Sequence, residues 1–199
     1  MKNILDFGNF ELQYWIDEFP TMSEVSTDAI SEIICGLTNI NSVKTCKICV
    51  ELFLHKDANN YGLLGMEFIP QRDAEKLEIQ IKYTKENTEH FQSKIKRYDN
   101  MLYYGLCEEY VSYLKNRLID KIHSKDEFYC GSLIISIAAN SMVGSSPMIF
   151  GVIANIIIEM FLMLQKERIR NIDDHIREIV LREYNAVMGS NSTNSNEGK

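Results

Sequence analysis

GSLIISIAANSMVGSSPMIFGVIANIIIEMFLMLQ, running from Gly131 to Gln165, is the stretch around which the remaining sequence is arranged. Leu133, Ile134, Ile135 and Ile137 make an apolar, β-branched run of strand length, with Gly131 and Ser132 before it and Asn140, Ser141 and Gly144 after it. Ser145 and Ser146 suit a helix N-cap, because a serine oxygen can accept from an otherwise unpaired first-turn amide. Pro147 suits the first helical position, where a missing N–H costs nothing. The spacing predicts a helix over Met148 to Gln165. Gly151, Asn155, Glu159 and Lys166 recur on one narrow stripe, and the rest of its surface is apolar. Such a helix is expected to lie on a sheet with only that stripe wet.

A membrane span is the competing reading of the same helix. Seventeen residues containing Asn155 and Glu159 fall short of the about twenty apolar residues a span needs. An acid at mid-span would cost roughly 2.5–3.5 kcal/mol. Lys166, Arg168 and Arg170 could anchor an interfacial segment over residues 148–170, but a buried core helix fits better.

Outward from this stretch, two periods alternate. Cys46, Ile48, Val50, Leu52 and Leu54 alternate with Lys47, Cys49, Glu51, Phe53 and His55; Leu77, Ile79, Ile81 and Tyr83 alternate with Lys76, Glu78, Gln80 and Lys82. With a third strand over residues 63–69, these predict an antiparallel meander with one wet face. Ser23 to Cys35 reads as a helix through Ile30, Ile33, Ile34 and Leu37, with Gly36 as its stop. The aromatic-rich first twenty residues read as a short strand or helical turn.

Residues 85–97 read as a polar loop. A long helix is expected from about Tyr98 to Ile122, with Cys107, Tyr110, Val111, Leu114, Leu118 and Ile122 on its buried face. A last helix opens near Asn171, Asp173 and Asp174. The fold class expected is α+β: a mostly antiparallel sheet, a three-stranded meander plus a fourth strand, with helices packed on one face. Residues 1–188 form one domain in this reading, and 189–199, rich in Ser and Asn, a disordered tail.

From Glu109 onward the pattern resembles domain IV of bacterial elongation factor G. The residues are Glu109-Tyr110-Val111 and then Val143-Gly144-Ser145-Ser146-Pro147-Met148-Ile149-Phe150, over about residues 109–160. Gly144 stands where that family has Asp, Ser141 where it has His, and Pro147 where it has Glu. The resemblance implies a βαβ-type unit and carries no function with it.

Composition narrows the function classes. The 199 residues carry a net charge of −7, which opposes double-stranded nucleic acid binding through phosphate. Five cysteines without a regular framework, and an N-terminus without an apolar leader core, suit a reducing, cytoplasmic setting. No Gly-x-x-x-x-Gly-Lys-Ser/Thr occurs. Cys46 and Cys49 have a metal-like gap, but three apart on a strand they point to opposite faces. His55, His90, His123 and His175 are scattered, and Glu108 and Glu109 are adjacent rather than stacked. No catalytic residue, metal site or cofactor is assigned.

Two features suggest binding. Ser141, Gly144, Ser145 and Ser146 lie at the expected helix N-terminus, a place for an anion such as a phosphate or nucleotide. Tyr103, Tyr104 and Tyr113 fall off the core stripe of the expected long helix, and tyrosine is enriched at interfaces. The reading is a non-enzymatic protein-binding protein of the small acidic inhibitor or immunity kind, with a protein partner of basic character. A phosphate- or nucleotide-binding enzyme is the first alternative and membrane association the second.

Overall fold

A computed structural model describes residues 1–22, 27–35, 43–55, 61–71, 75–86, 89–95, 102–125, 128–166 and 170–188. The strands are β1 (Lys2–Asp6), β2 (Phe10–Ile16), β3 (Asp28–Cys35), β4 (Cys46–Leu54), β5 (Tyr61–Pro70), β6 (Lys76–Tyr83), β7 (Leu102–Tyr104) and β8 (Gly131–Ser141). The helices are α1 (Glu108–His123), α2 (Pro147–Leu164) and α3 (Ile172–Met188). All eight strands join one sheet in the order β1-β2-β4-β5-β8-β6-β3, with β7 on the far end of β8. Every pairing is antiparallel except β6 with β8. The architecture is α+β, as the periodicity implies.

The expected meander holds for β4 and β5 and stops there. β8 lies between β5 and β6, antiparallel to one and parallel to the other. The physical reason is side-chain composition. A strand apolar on both sides belongs in the middle of a sheet, whereas β6, with half-buried Glu78, Gln80 and Lys82, sits toward an edge. The parallel pair requires a crossover, which contains α1.

Three further expectations are corrected. The segment read as a helix at Ser23 to Cys35 is strand β3 from Asp28, paired along its length with β6; residues 23–26 lie outside the described residues. Ile30, Glu32 and Ile34 alternate inward while Ile33 is exposed, and β-branched residues suit this pleat. The first residues form a hairpin, β1 with β2, turned at Gly8, whose φ of +80° favours glycine. Finally, the long helix starts only at Glu108. Tyr103 and Tyr104 belong to β7, and Tyr98 is not among the described residues.

Alternation then builds two apolar layers. Even-numbered residues of β2 and β4, with Leu64, Met66 and Phe68 of β5, pack with residues of α1, α2 and α3. Trp15, Cys49, Tyr61, Leu63 and Ala139 form a second cluster on the opposite face with Phe91 and Leu102. One strand serves both through a bulge. Gly65 pairs with Ile137 but Met66 with Ile135, so Ser136 is the extra residue. It turns Leu133 and Ile135 toward α2 and Ile137 and Ala139 away. The wet face expected of the meander is therefore covered over its centre. Among the described residues part of its cover is a strap, residues 89–95, whose Phe91 joins the cluster and whose Ile95 is also buried.

The polar stripe of α2 is a seam between helices and not a solvent face. Tyr113 of α1 lies against Gly151, where an added Cβ would come within 2.8 Å of its ring. Two turns along each helix, Lys121 meets Glu159 at 2.8 Å. Lys121 also reaches Glu183 of α3 at 2.9 Å, and Lys125 meets Glu159 as well. Arg182 lies 3.1 Å from both acids. Burial alone would raise the Glu159 pKa, but hydrogen bonds from Lys121 and Lys125 hold it below its usual value.

Candidate functional site

The turn between β8 and α2 is braced by its own side chains. Ser145 Oγ accepts from the Ser141 amide at 2.7 Å and donates to the Tyr61 carbonyl at 2.7 Å. Ser141 Oγ accepts from the Gly144 amide at 3.2 Å, and the Gly144 carbonyl accepts from the Tyr61 amide at 2.7 Å. The turn is thus stitched both to itself and to the start of β5. Tyr110 adds α1 to the brace, donating its hydroxyl to the Ser145 carbonyl at 3.4 Å. Burial raises the Tyr110 pKa, so it remains a donor at neutral pH.

This arrangement revises the capping role read from the sequence. Ser146 is the N-cap and Pro147 opens α2, yet the Ser146 side chain makes no cap hydrogen bond. Ser146 Oγ is buried and meets no hydrogen-bond partner among the described residues. Of the four residues proposed for an anion, Ser141 and Ser145 spend hydroxyl bonds inside the turn, and Gly144 is buried.

What the brace presents outward is apolar. Met142 is 66% exposed and Val143 74%, side by side at the tip. Tyr113, three residues after Tyr110 on α1, is 38% exposed beside Gly151. The other two proposed interface tyrosines are half-buried on β7, where Tyr104 packs on the second cluster and Tyr103 alternates away from it. Tyr103 stacks on His90 with ring centroids 4.7 Å apart, and Tyr104 meets Phe91 edge-on at 5.3 Å. The structure therefore separates Tyr113 from Tyr103 and Tyr104. An exposed Met-Val pair is visible in the sequence, but only the brace makes it a fixed projection.

One residue that periodicity assigns to a wet face is buried. Glu51 of β4 is 1% exposed in the layer beneath the strap. It faces Gln13 across β2 and Leu63 across β5, and accepts from the Tyr61 hydroxyl at 2.9 Å. Burial pushes its pKa up to about 7, with the Ser93 and Tyr61 hydroxyls pulling the other way. Desolvation likewise raises the Cys49 thiol well above its usual value. Nothing at position 51 marks burial in the sequence. The available signal was Phe91 and Ile95 within an otherwise polar segment.

Cys46 and Cys49 lie in opposite layers, as strand geometry requires. Burial pushes Cys46 up to about 12, which makes it an inert thiol at neutral pH. Among the described residues no three His, Cys, Asp or Glu side chains come together as a metal site. Helix α2 is long and apolar enough to cross a membrane by length and composition, but 12 of its 18 residues are buried in the fold.

No family model matches this chain, and neither does any curated protein or solved structure.

Proposed function

We propose that this chain is a non-enzymatic protein-binding protein, cytoplasmic, of the small acidic inhibitor or immunity kind. The observation that carries it is the Met142–Val143 tip on a turn held by hydrogen bonds among Ser141, Gly144, Ser145 and Tyr61. Large apolar side chains on a preorganised projection gain burial on docking and lose little conformational freedom. Tyr113 extends this surface with a ring and a polar tip. The net charge of −7 favours a partner of basic character. The three helices, in this reading, share one face of the sheet and leave the turn free at its end. The likeness to elongation factor G stays a likeness of sequence and supplies no role in translation.

The test replaces Met142→Asp and Val143→Asp together in the full chain. A partner recovered by the wild type from native lysate should be lost, with folding stability changed by no more than about 0.5 kcal/mol. Retention of every wild-type partner by the double variant would falsify the reading.

A second reading, phosphate or nucleotide binding at the start of α2, is favoured by the unpaired Ser146 hydroxyl. A thermal-shift screen with inorganic phosphate and nucleotides decides it, since absence of any shift removes its support.

A further inference from the structure

We propose that residues 89–95 are a pH-responsive strap, closed over the sheet while the Glu51 carboxyl is protonated and released as that carboxyl ionises. The inference stands on where Glu51 sits and on what covers it, and it is independent of the docking surface above.

Among the described residues the strap is tied by few backbone bonds. The strap joins β7 through two backbone hydrogen bonds, Phe91 N–H to the Leu102 carbonyl at 2.8 Å and Tyr104 N–H to the Glu89 carbonyl at 2.9 Å. The Thr84 amide, before the strap, adds one more to the Leu106 carbonyl at 2.8 Å. Phe91 and Ile95 supply its buried apolar contacts. Between them Ser93 reaches Glu51, and its hydroxyl oxygen accepts from the Ile95 amide at 3.1 Å, leaving its proton for the carboxyl. That bond favours the ionised carboxylate and so opposes release, but burial of the carboxyl outweighs it.

Among the described residues Glu51 has hydroxyl donors but no ion pair. Gln13 faces it from β2, Cys49 adjoins it on β4, and Tyr61 comes from β5. Ser93 of the strap reaches it as well, and Tyr104 of β7 lies near Tyr61. Burial raises both Cys49 and Tyr61 well above their usual values, so neither changes charge near neutrality. The basic side chains at the two ends of β4 lie against other acids: Lys47 is 3.5 Å from Glu67 and His55 is 3.6 Å from Glu11. On the strap, Glu89, His90 and Lys94 are exposed. Ionisation therefore places a negative charge in an apolar layer, where hydration is gained by lifting the strap.

The sign follows from linkage. Glu51 titrates at about 7 when covered and at the ordinary value of 4.5 when hydrated. Below about 4.5 it is protonated in both states and does not affect opening. Opening then rises by up to about tenfold per pH unit and levels off above about 7.

Hydrogen exchange followed by NMR on the full chain tests this. Protection factors, with the intrinsic pH dependence divided out, should fall at the Phe91 and Tyr104 amides by up to about tenfold per unit between pH 5 and 7. They should stay below those of α2 throughout, and Glu51→Gln should flatten the profile. A profile flat in the wild type, strap amides as protected as α2, or an undiminished slope in E51Q overturns the proposal. Should E51Q fail to fold, the carboxyl carbon of Glu51 in the wild type decides. A titration midpoint near 7 that coincides with loss of strap protection supports the device, and an ordinary midpoint overturns it.

Discussion

The two faces of the sheet bury similar kinds of residue under very different covers. Beneath α2 the layer is dry and aromatic: Phe161 packs on Phe68, Phe128 and Tyr129, with ring centroids between 4.7 and 5.7 Å. Its charges stand at the helix seam, where Lys121, Lys125 and Arg182 surround Glu159 and Glu183. Beneath the strap the layer holds an acid, Glu51, with hydroxyl neighbours and, among the described residues, no ion pair. Charges at a perimeter can be paired and hydrated, so they stabilise. Beneath the strap the carboxyl meets hydroxyl donors but no cation among the described residues, and burial raises its pKa. The difference lies in what covers each face, since the same strand β4 contributes to both.

The largest expected effect lies on the α2 face. Phe161→Ala, at a fully buried position, should cost about 3–5 kcal/mol in equilibrium denaturation. A loss under about 1 kcal/mol would mean that Phe161 is not held in a closely packed layer.

Next comes the pH profile of folding stability, on which the faces should pull in opposite directions. Glu51 has a raised folded pKa, so its contribution is intact below the ordinary value of 4.5 and is lost as pH rises to about 7. The loss is roughly 3 kcal/mol at most. Glu159 has a lowered folded pKa, so its contribution is present above 4.5 and is lost as pH falls through the lowered value. Glu51→Gln should remove the alkaline limb alone and Glu159→Gln the acid limb alone. Exchange of those outcomes between the variants would break the comparison.

Smaller effects sharpen it. At neutral pH Glu159→Gln should cost about 2 kcal/mol, less in high salt, because the seam is partly open to solvent. Ser145→Ala should cost about 1 kcal/mol, losing bonds to Ser141 and Tyr61, and should loosen the Met142–Val143 tip measurably by NMR relaxation. An unchanged tip would detach the brace from the docking surface.

The candidate site was partly legible. Period-two alternation at residues 46–54 and 77–83, and the apolar run at 133–137, correspond to β4, β6 and β8. Isoleucines at 30, 33 and 34 fit either a helix face or a half-buried strand, and pairing with β6 chose the strand. Tyr103 and Tyr104 looked like part of a helix because Cys107 to Ile122 is strongly helical, and nothing in the pattern marked Glu108 as its beginning. The turn at Ser141–Pro147 was visible as a turn. That its hydroxyls bond inward, leaving Met142 and Val143 outward, depends on the Tyr61 backbone eighty residues earlier in the chain.

The order of polar and apolar residues by itself determined which segments alternate and which helix is most apolar, because those properties follow from local period and side-chain chemistry. Only the tertiary structure decided that β8 divides the meander, that the stripe of α2 meets α1, and that Glu51 is covered. Each depends on which distant surface is pressed against a residue, and burial is a property of that contact, not of the residue type.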